Sequence, residues 1–227
     1  MKKAYLFKMK LIPANVLAII IFIIMMAITY CCFGIYFSPL ELEISMIIIV
    51  FWFILHELFH GLGFYLTGVK RKNIKYGIAL EKGILYTMAL QEVSKKGILV
   101  SLQMPFMVIG VITYIIGICF NLNILTFLSI ANITGAALDI VMFFYIARIK
   151  DIIYSETGKP DEFVLITKED LQKQKHLFLE VKQVKEYNKN DYKFDIDKRI
   201  TVSKRSLISA IVFILVFVLL ALVTYLS

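Results

Sequence analysis

The sequence predicts an α-helical polytopic membrane protein with about five transmembrane helices and a small cytosolic β-hairpin between the second and third. Three observations carry this fold class. The 227 residues are 59% hydrophobic and only 19% charged, far from the balance of a soluble domain. Five runs of about 20 or more apolar residues are each long enough to cross a bilayer. Basic residues gather in alternate connecting segments, as in a polytopic protein.

The first run, Ala14 to Phe37, follows Lys2, Lys3, Lys8 and Lys10, which resembles the basic start of a signal peptide. It is long for a signal-peptide core, and no A-x-A cleavage site follows, so it reads as a retained helix rather than a cleaved leader. The other runs are Ile44 to Thr67, Gly97 to Phe120, Ile124 to Ala147 and Leu207 to Leu226. Lysine and arginine cluster at the N-terminus, at Lys70-Arg71-Lys72, at Lys95-Lys96, at Arg148 and Lys150, and at Lys204-Arg205. The acidic Glu41-Leu42-Glu43 and the uncharged Asn121-Leu122-Asn123 occupy the intervening loops. The positive-inside rule then places the N-terminus, 68–96 and 150–205 in the cytoplasm, and the C-terminus outside. The net charge of +8 is thereby read as topology, and no nucleic acid is expected as a partner. Cys31, Cys32 and Cys119 lie in apolar runs with no C-x-x-C spacing and read as buried, quiet thiols.

Four segments follow: 1–43 with the first helix and its external loop, a core at 44–150, a cytosolic segment at 151–204, and a last helix at 205–227. Within the core, Ile74, Tyr76, Ile78 and Leu80 alternate with smaller or polar residues, and Ile84, Tyr86, Met88 and Leu90 alternate again. Two period-2 runs around Glu81-Lys82-Gly83 read as a hairpin over 74–92. It either packs at the membrane surface or lends its edge to an extended peptide. In the cytosolic segment, where opposite charges nearly balance, Glu162 to Ile166 reads as a short strand. Thr167 with Glu169-Asp170 reads as the start of a helix running to about Tyr187, with a charged linker from Asn188 to Arg199. His176 falls in that helix and reads as solvated.

The chemistry is carried by His56-Glu57-Leu58-Phe59-His60, an HExxH inside the second apolar run. On a helix, histidines at i and i+4 share one face, so both imidazoles can reach one Zn²⁺ and the adjacent glutamate can act as general base on its water. Two of the chain's three histidines are spent here. The plain alternative is an accidental helical stripe, which the cost of ionisable groups at membrane depth argues against. A catalytic zinc takes a third protein ligand and keeps one position open. Asp139 is the only acidic residue in the fourth run, and by residue count it lies about as deep as the HExxH, roughly 14–15 residues from the outer end at 1.5 Å each. The plain alternative for Asp139 is a partner for another buried polar group, and Glu81 and Glu92 are the fallback ligands. Asn132, seven residues earlier on the same helical face, contacts a substrate backbone or oxyanion, or else makes an interhelical hydrogen bond.

An HExxH in an early transmembrane helix, a hairpin after it and an Asn…Asp motif in a later helix resemble the site-2 protease family of intramembrane zinc metalloproteases. The likeness is closer still to small zincin-like membrane proteins with this arrangement, and it covers roughly residues 44–150. It implies His56, His60 and Asp139 as ligands of one Zn²⁺ per chain, Glu57 as the base, and Asn132 as a substrate-binding residue. It departs from the family in Leu138-Asp139-Ile140, which lacks the usual glycine after the aspartate, and in Gly135 where a proline is common. The implied activity is hydrolysis of peptide bonds in or near the bilayer, on membrane-protein or peptide substrates. Family and topology together imply a bacterial plasma-membrane protein. Two further enzyme-free readings share the same residues: a metal-binding or transport protein, and an inactive scaffold that holds helices without cutting them.

Overall fold

The structure, a computed structural model, describes residues 2–79, 84–159, 161–171 and 176–184. The expected turn at 81–83, the linker at 188–199 and the last apolar run at 207–226 lie outside the described residues.

The chain opens with strand β1 (Lys3–Met9), followed by helix α1 (Leu11–Phe33), which ends at Gly34 with φ +64°. Glycine, with no Cβ, takes that left-handed turn most readily. Helix α2 (Pro39–Leu66) begins earlier than expected. Glu41 does not sit in a loop: with Ser38 it forms a capping box, its carboxylate accepting from the Ser38 N–H at 2.8 Å. Proline at the first position and an acid in the first turn complete a strong helix start. The hairpin follows as β2 (Ile74–Ala79) and β3 (Ile84–Ala89), antiparallel with Tyr76 opposite Thr87.

After the short β4 (Val93–Ser94), one long span runs from α3 (Lys95–Pro105) through a wide π-helical stretch (Phe106–Ile112) into α4 (Thr113–Cys119). Proline at 105 cannot donate to the carbonyl four residues back, which explains why the helix widens there. The expected fourth span is broken into α5 (Asn123–Gly135) and α6 (Ala137–Arg148), bent by 48° at the small residues Gly135-Ala136. Among the described helices, three are long and apolar enough to cross a membrane, or four if this bent pair is one span, consistent with a membrane location.

The larger departure from expectation is a five-stranded antiparallel sheet in the order β4-β5-β6-β1-β7, with β5 (Ile152–Glu156), β6 (Glu162–Thr167) and β7 (Leu179–Val184). The strand expected at 162–166 is present as β6. The helix expected from Thr167 to Tyr187 is not: residues 179–184 pair with β1, Phe7 opposite Val181. Local charge and capping residues suggested a helix, but an open edge of β1 overrides that preference. His176 is accordingly not helical; its ring lies 4.5 Å from that of Tyr145. The basic N-terminus is an interior strand of this sheet, paired on both edges, with Tyr5 and Phe7 fully covered. Phe7 stacks on Phe163 across the register (centroids 5.1 Å) and meets Tyr145 of α6 at 5.4 Å. One apolar core, including Phe64 of α2, Leu102 of α3, Ile146 of α6 and Tyr154 of β5, fixes the sheet against one end of the helices.

Candidate metal centre

The HExxH sits in the C-terminal part of α2, with His56 and His60 both buried. Their Nε2 atoms lie 3.0 Å apart, and Oδ2 of Asp139 is 3.3 Å from each. The three ligands expected from the sequence therefore converge on one point, two from consecutive turns of α2 and one from the first turn of α6. That first helical turn follows directly on the 48° bend at Gly135-Ala136.

Both histidine tautomers follow from their partners. Nδ1 of His60 lies 2.9 Å from the Ser101 carbonyl, which can only accept, so that nitrogen carries the proton. The carbonyl is free for this contact because residue 105, one turn on, is proline and has no N–H to offer it. Nδ1 of His56 lies 2.9 Å from Oδ1 of Asn132. The Asn132 amide nitrogen donates to the Pro105 carbonyl at 3.0 Å, which fixes its oxygen towards the histidine. Both Nε2 atoms are left as lone pairs aimed at the Asp139 carboxylate. Such a set repels itself without a cation between its members. Donors around a tetrahedral zinc lie roughly 3.3 Å apart, given Zn–N bonds of about 2.0–2.1 Å. The observed 3.0 and 3.3 Å match that spacing, so the residues fit a zinc ion.

The Glu57 carboxylate lies within 4.8 Å of the two histidine donor atoms. The Thr87 hydroxyl of β3 is 2.8 Å from Oε2 of Glu57 and 2.8 Å from its backbone carbonyl. The hairpin thus reaches into the site. A cavity of about 220 Å³ adjoins these groups, walled by α2, β3, α3 and α6, and on its far side by Tyr154 and Glu156 of β5 and Phe163 of β6. Asn132 is fully buried and does not line it. Its amide is engaged between helices, holding His56, and is not presented to the cavity as a substrate contact. Glu92 is exposed and away from the cavity, and Glu81 lies outside the described residues.

Thr87, Ser101, Tyr154 and Glu156 were not singled out from the sequence. Thr87 is the polar member of a period-2 run and could have been suspected as facing the motif; Ser101 and Glu156 carry no local signal. Glu156 is 8% exposed and accepts from the Tyr154 hydroxyl at 2.7 Å. Burial pushes its carboxyl up to about 8, against the opposing pull of Tyr154 and His60. The folded protein then keeps a proton on Glu156 that the unfolded chain releases near 4.5, so stability declines as pH rises from about 5 to about 8. Glu156→Gln is expected to raise the melting temperature of the metal-free protein by roughly 5 °C at pH 8 and to leave it unchanged near pH 4. Equal melting curves at both pH values would contradict this.

The helix pair α2–α3 depends on Gly63. A Cβ there would lie 2.6 Å from the Ser101 Cα, a backbone atom that cannot swing aside. The same contact joins the Ser101 hydroxyl to the His60 carbonyl at 2.9 Å. Gly63→Ala is expected to cost about 1–3 kcal/mol by overpacking and to loosen His60. Thermal unfolding and zinc titration on one preparation would read both effects.

Residues 49–154 match the family model described as "Putative zincin peptidase". This span contains the HExxH, the hairpin, Asn132, Asp139 and Tyr154, and with the His56-Glu57-His60 cluster it supports a zincin-like zinc metallopeptidase. No curated protein and no solved structure matches the chain.

Proposed function

We propose that this chain is a membrane-embedded, site-2 protease-like zinc endopeptidase that cuts peptide segments close to the end of the bilayer where its sheet lies. The observation that carries the reading is the convergence of His56, His60 and Asp139 with both Nδ1 atoms tied to oxygen acceptors and Glu57 alongside. His56, His60 and Asp139 would hold the metal, one ion per chain. Bound there, zinc supplies Lewis acidity to water and to the scissile carbonyl.

The remaining work belongs to the protein. Thr87 holds Oε2 of Glu57, which orients the carboxylate to take a proton from the attacking water and deliver it to the leaving amine. Asn132 and Ser101 keep each imidazole in one tautomer and one orientation, a positioning role. Leu85, Tyr86, Thr87 and Met88 are consecutive, yet all four border the cavity, so β3 runs along it edge-on. Its sheet has two described strands, leaving the second edge of β3 open for an unwound substrate to add as a strand.

The depth of the site favours cleavage near the membrane surface over cleavage at mid-bilayer. His60 and His56 are six and ten residues from the end of α2 at Leu66, about 9–15 Å along the axis. One cavity wall also comes from the five-stranded sheet, which follows the end of α6. Zinc content of the purified protein, measured beside cleavage of single-span peptides by wild type and Glu57→Gln, tests the reading. About one zinc per chain in both, with cleavage lost only in the variant, is expected. A metal-free wild type after reconstitution would sink it, and equal phenotypes for both proteins would favour the scaffold.

A further inference from the structure

A second cavity, of about 340 Å³, lies away from the metal centre at the junction of sheet and helices. Lys2, Lys95, Lys150 and Lys168 line it, Asp151 is its one acidic side chain, and isoleucines of β5 and β6 form its base. We propose that this pocket binds the phosphate group of an anionic phospholipid and thereby seats the sheet on the membrane.

Four ammonium groups around a cavity of headgroup size repel one another, and a phosphate relieves that repulsion. Lys95 is already fixed: its Nζ donates to the carbonyls of Ala147 (2.8 Å) and Ile149 (2.5 Å) at the end of α6. It therefore presents a rigid charge at the pocket wall. Lys2, Lys150 and Lys168 make no salt bridge among the described residues. The carboxylate of nearby Glu169 accepts from the Lys150 backbone N–H at 2.8 Å and makes no salt bridge with the Lys150 ammonium.

Position selects the source of the phosphate. Lys95 is the first residue of α3, and Lys150 follows the last residue of α6 by two. The pocket thus lies at the level where two apolar helices leave the bilayer, the height of lipid headgroups. On the same end of α6, Phe144 is 57% exposed and offers an apolar surface for an acyl chain. A soluble phosphate would use the four lysines but would have no use for Phe144.

The test is thermal unfolding of the full-length purified protein in mixed micelles, read through Trp52, with phosphatidylglycerol, phosphatidylcholine or 10 mM inorganic phosphate added. Wild type is compared with Lys2→Gln/Lys150→Gln/Lys168→Gln and with the control Lys70→Gln/Lys72→Gln/Lys75→Gln, which removes equal charge elsewhere. Phosphatidylglycerol is expected to raise the melting temperature of wild type and control by about 2–4 °C and to leave the pocket variant unmoved. An equal rise in the pocket variant, or an equal loss in the control, overturns the proposal. A rise reproduced by inorganic phosphate, with nothing added by lipid, assigns the pocket to a soluble phosphate and overturns the lipid reading. Zinc content measured on the same samples is expected to stay constant, which separates this result from the fate of the peptidase reading.

Discussion

Alanine at His56, His60 or Asp139 is expected to strip the metal from the purified protein. A structural zinc with four ligands is worth about 10–16 kcal/mol, so one ligand carries about 3 kcal/mol, or roughly 100-fold in affinity. The loss is compounded here because the remaining donors stay buried and aimed at one another. Asn132→Ala is expected to weaken binding by about 10–100-fold, since it leaves all three ligands in place but removes the oxygen that holds the His56 Nδ1 proton, together with the N–H given to the Pro105 carbonyl. Competition with a chromophoric chelator, on variants matched for monodispersity, would rank the four proteins. Wild-type affinity in Asp139→Ala would overturn the assignment of Asp139 and make Glu57 the third donor, because its carboxylate shares the same 4.8 Å cluster.

Glu57→Gln is expected to separate metal binding from chemistry. Glutamine keeps the shape of glutamate and an oxygen for the Thr87 hydroxyl, so zinc and fold should remain. It cannot accept a proton, and the loss of a positioned general base lowers turnover by about 10²–10⁴-fold. The readout is the rate of peptide cleavage at equal zinc occupancy. A metal carrier would tolerate this substitution, and a scaffold would be indifferent to it. Turnover within twofold of wild type would remove Glu57 from the mechanism.

The parts of the site legible in the sequence are those whose geometry is local or whose energetics are unusual. Two histidines at i and i+4 must share a helix face wherever the helix lies. A lone aspartate in an apolar run is costly unless it has a partner, which is why Asp139 could be named from 80 residues away. The hairpin was legible for the same local reason, its period-2 alternation. The role of Asn132 was not, because a seven-residue spacing is compatible with facing either a substrate or another helix. Only the tertiary contacts with the Pro105 carbonyl and the His56 ring show that its amide is engaged inside the bundle.

The sheet shows the opposite case. Lys-Lys-Ala-Tyr-Leu-Phe-Lys-Met-Lys carries the charges of a leader and the alternation of a strand, and nothing within it chooses between them. The choice is made by residues more than 150 positions away, where β6 and β7 supply backbone partners on both edges and Phe163 meets Phe7. By itself the sequence determined the apolar helices, the HExxH face and the aspartate that meets it, because hydrophobic periodicity and the cost of a buried charge act within one segment. Tertiary structure alone decided which strands close the sheet, that Thr87 holds the Glu57 carboxylate, and that Ser101 and Asn132 orient the histidines. Those are contacts between segments far apart in the chain, and a hydrogen bond or strand edge leaves no pattern in a sequence until its partner is in place.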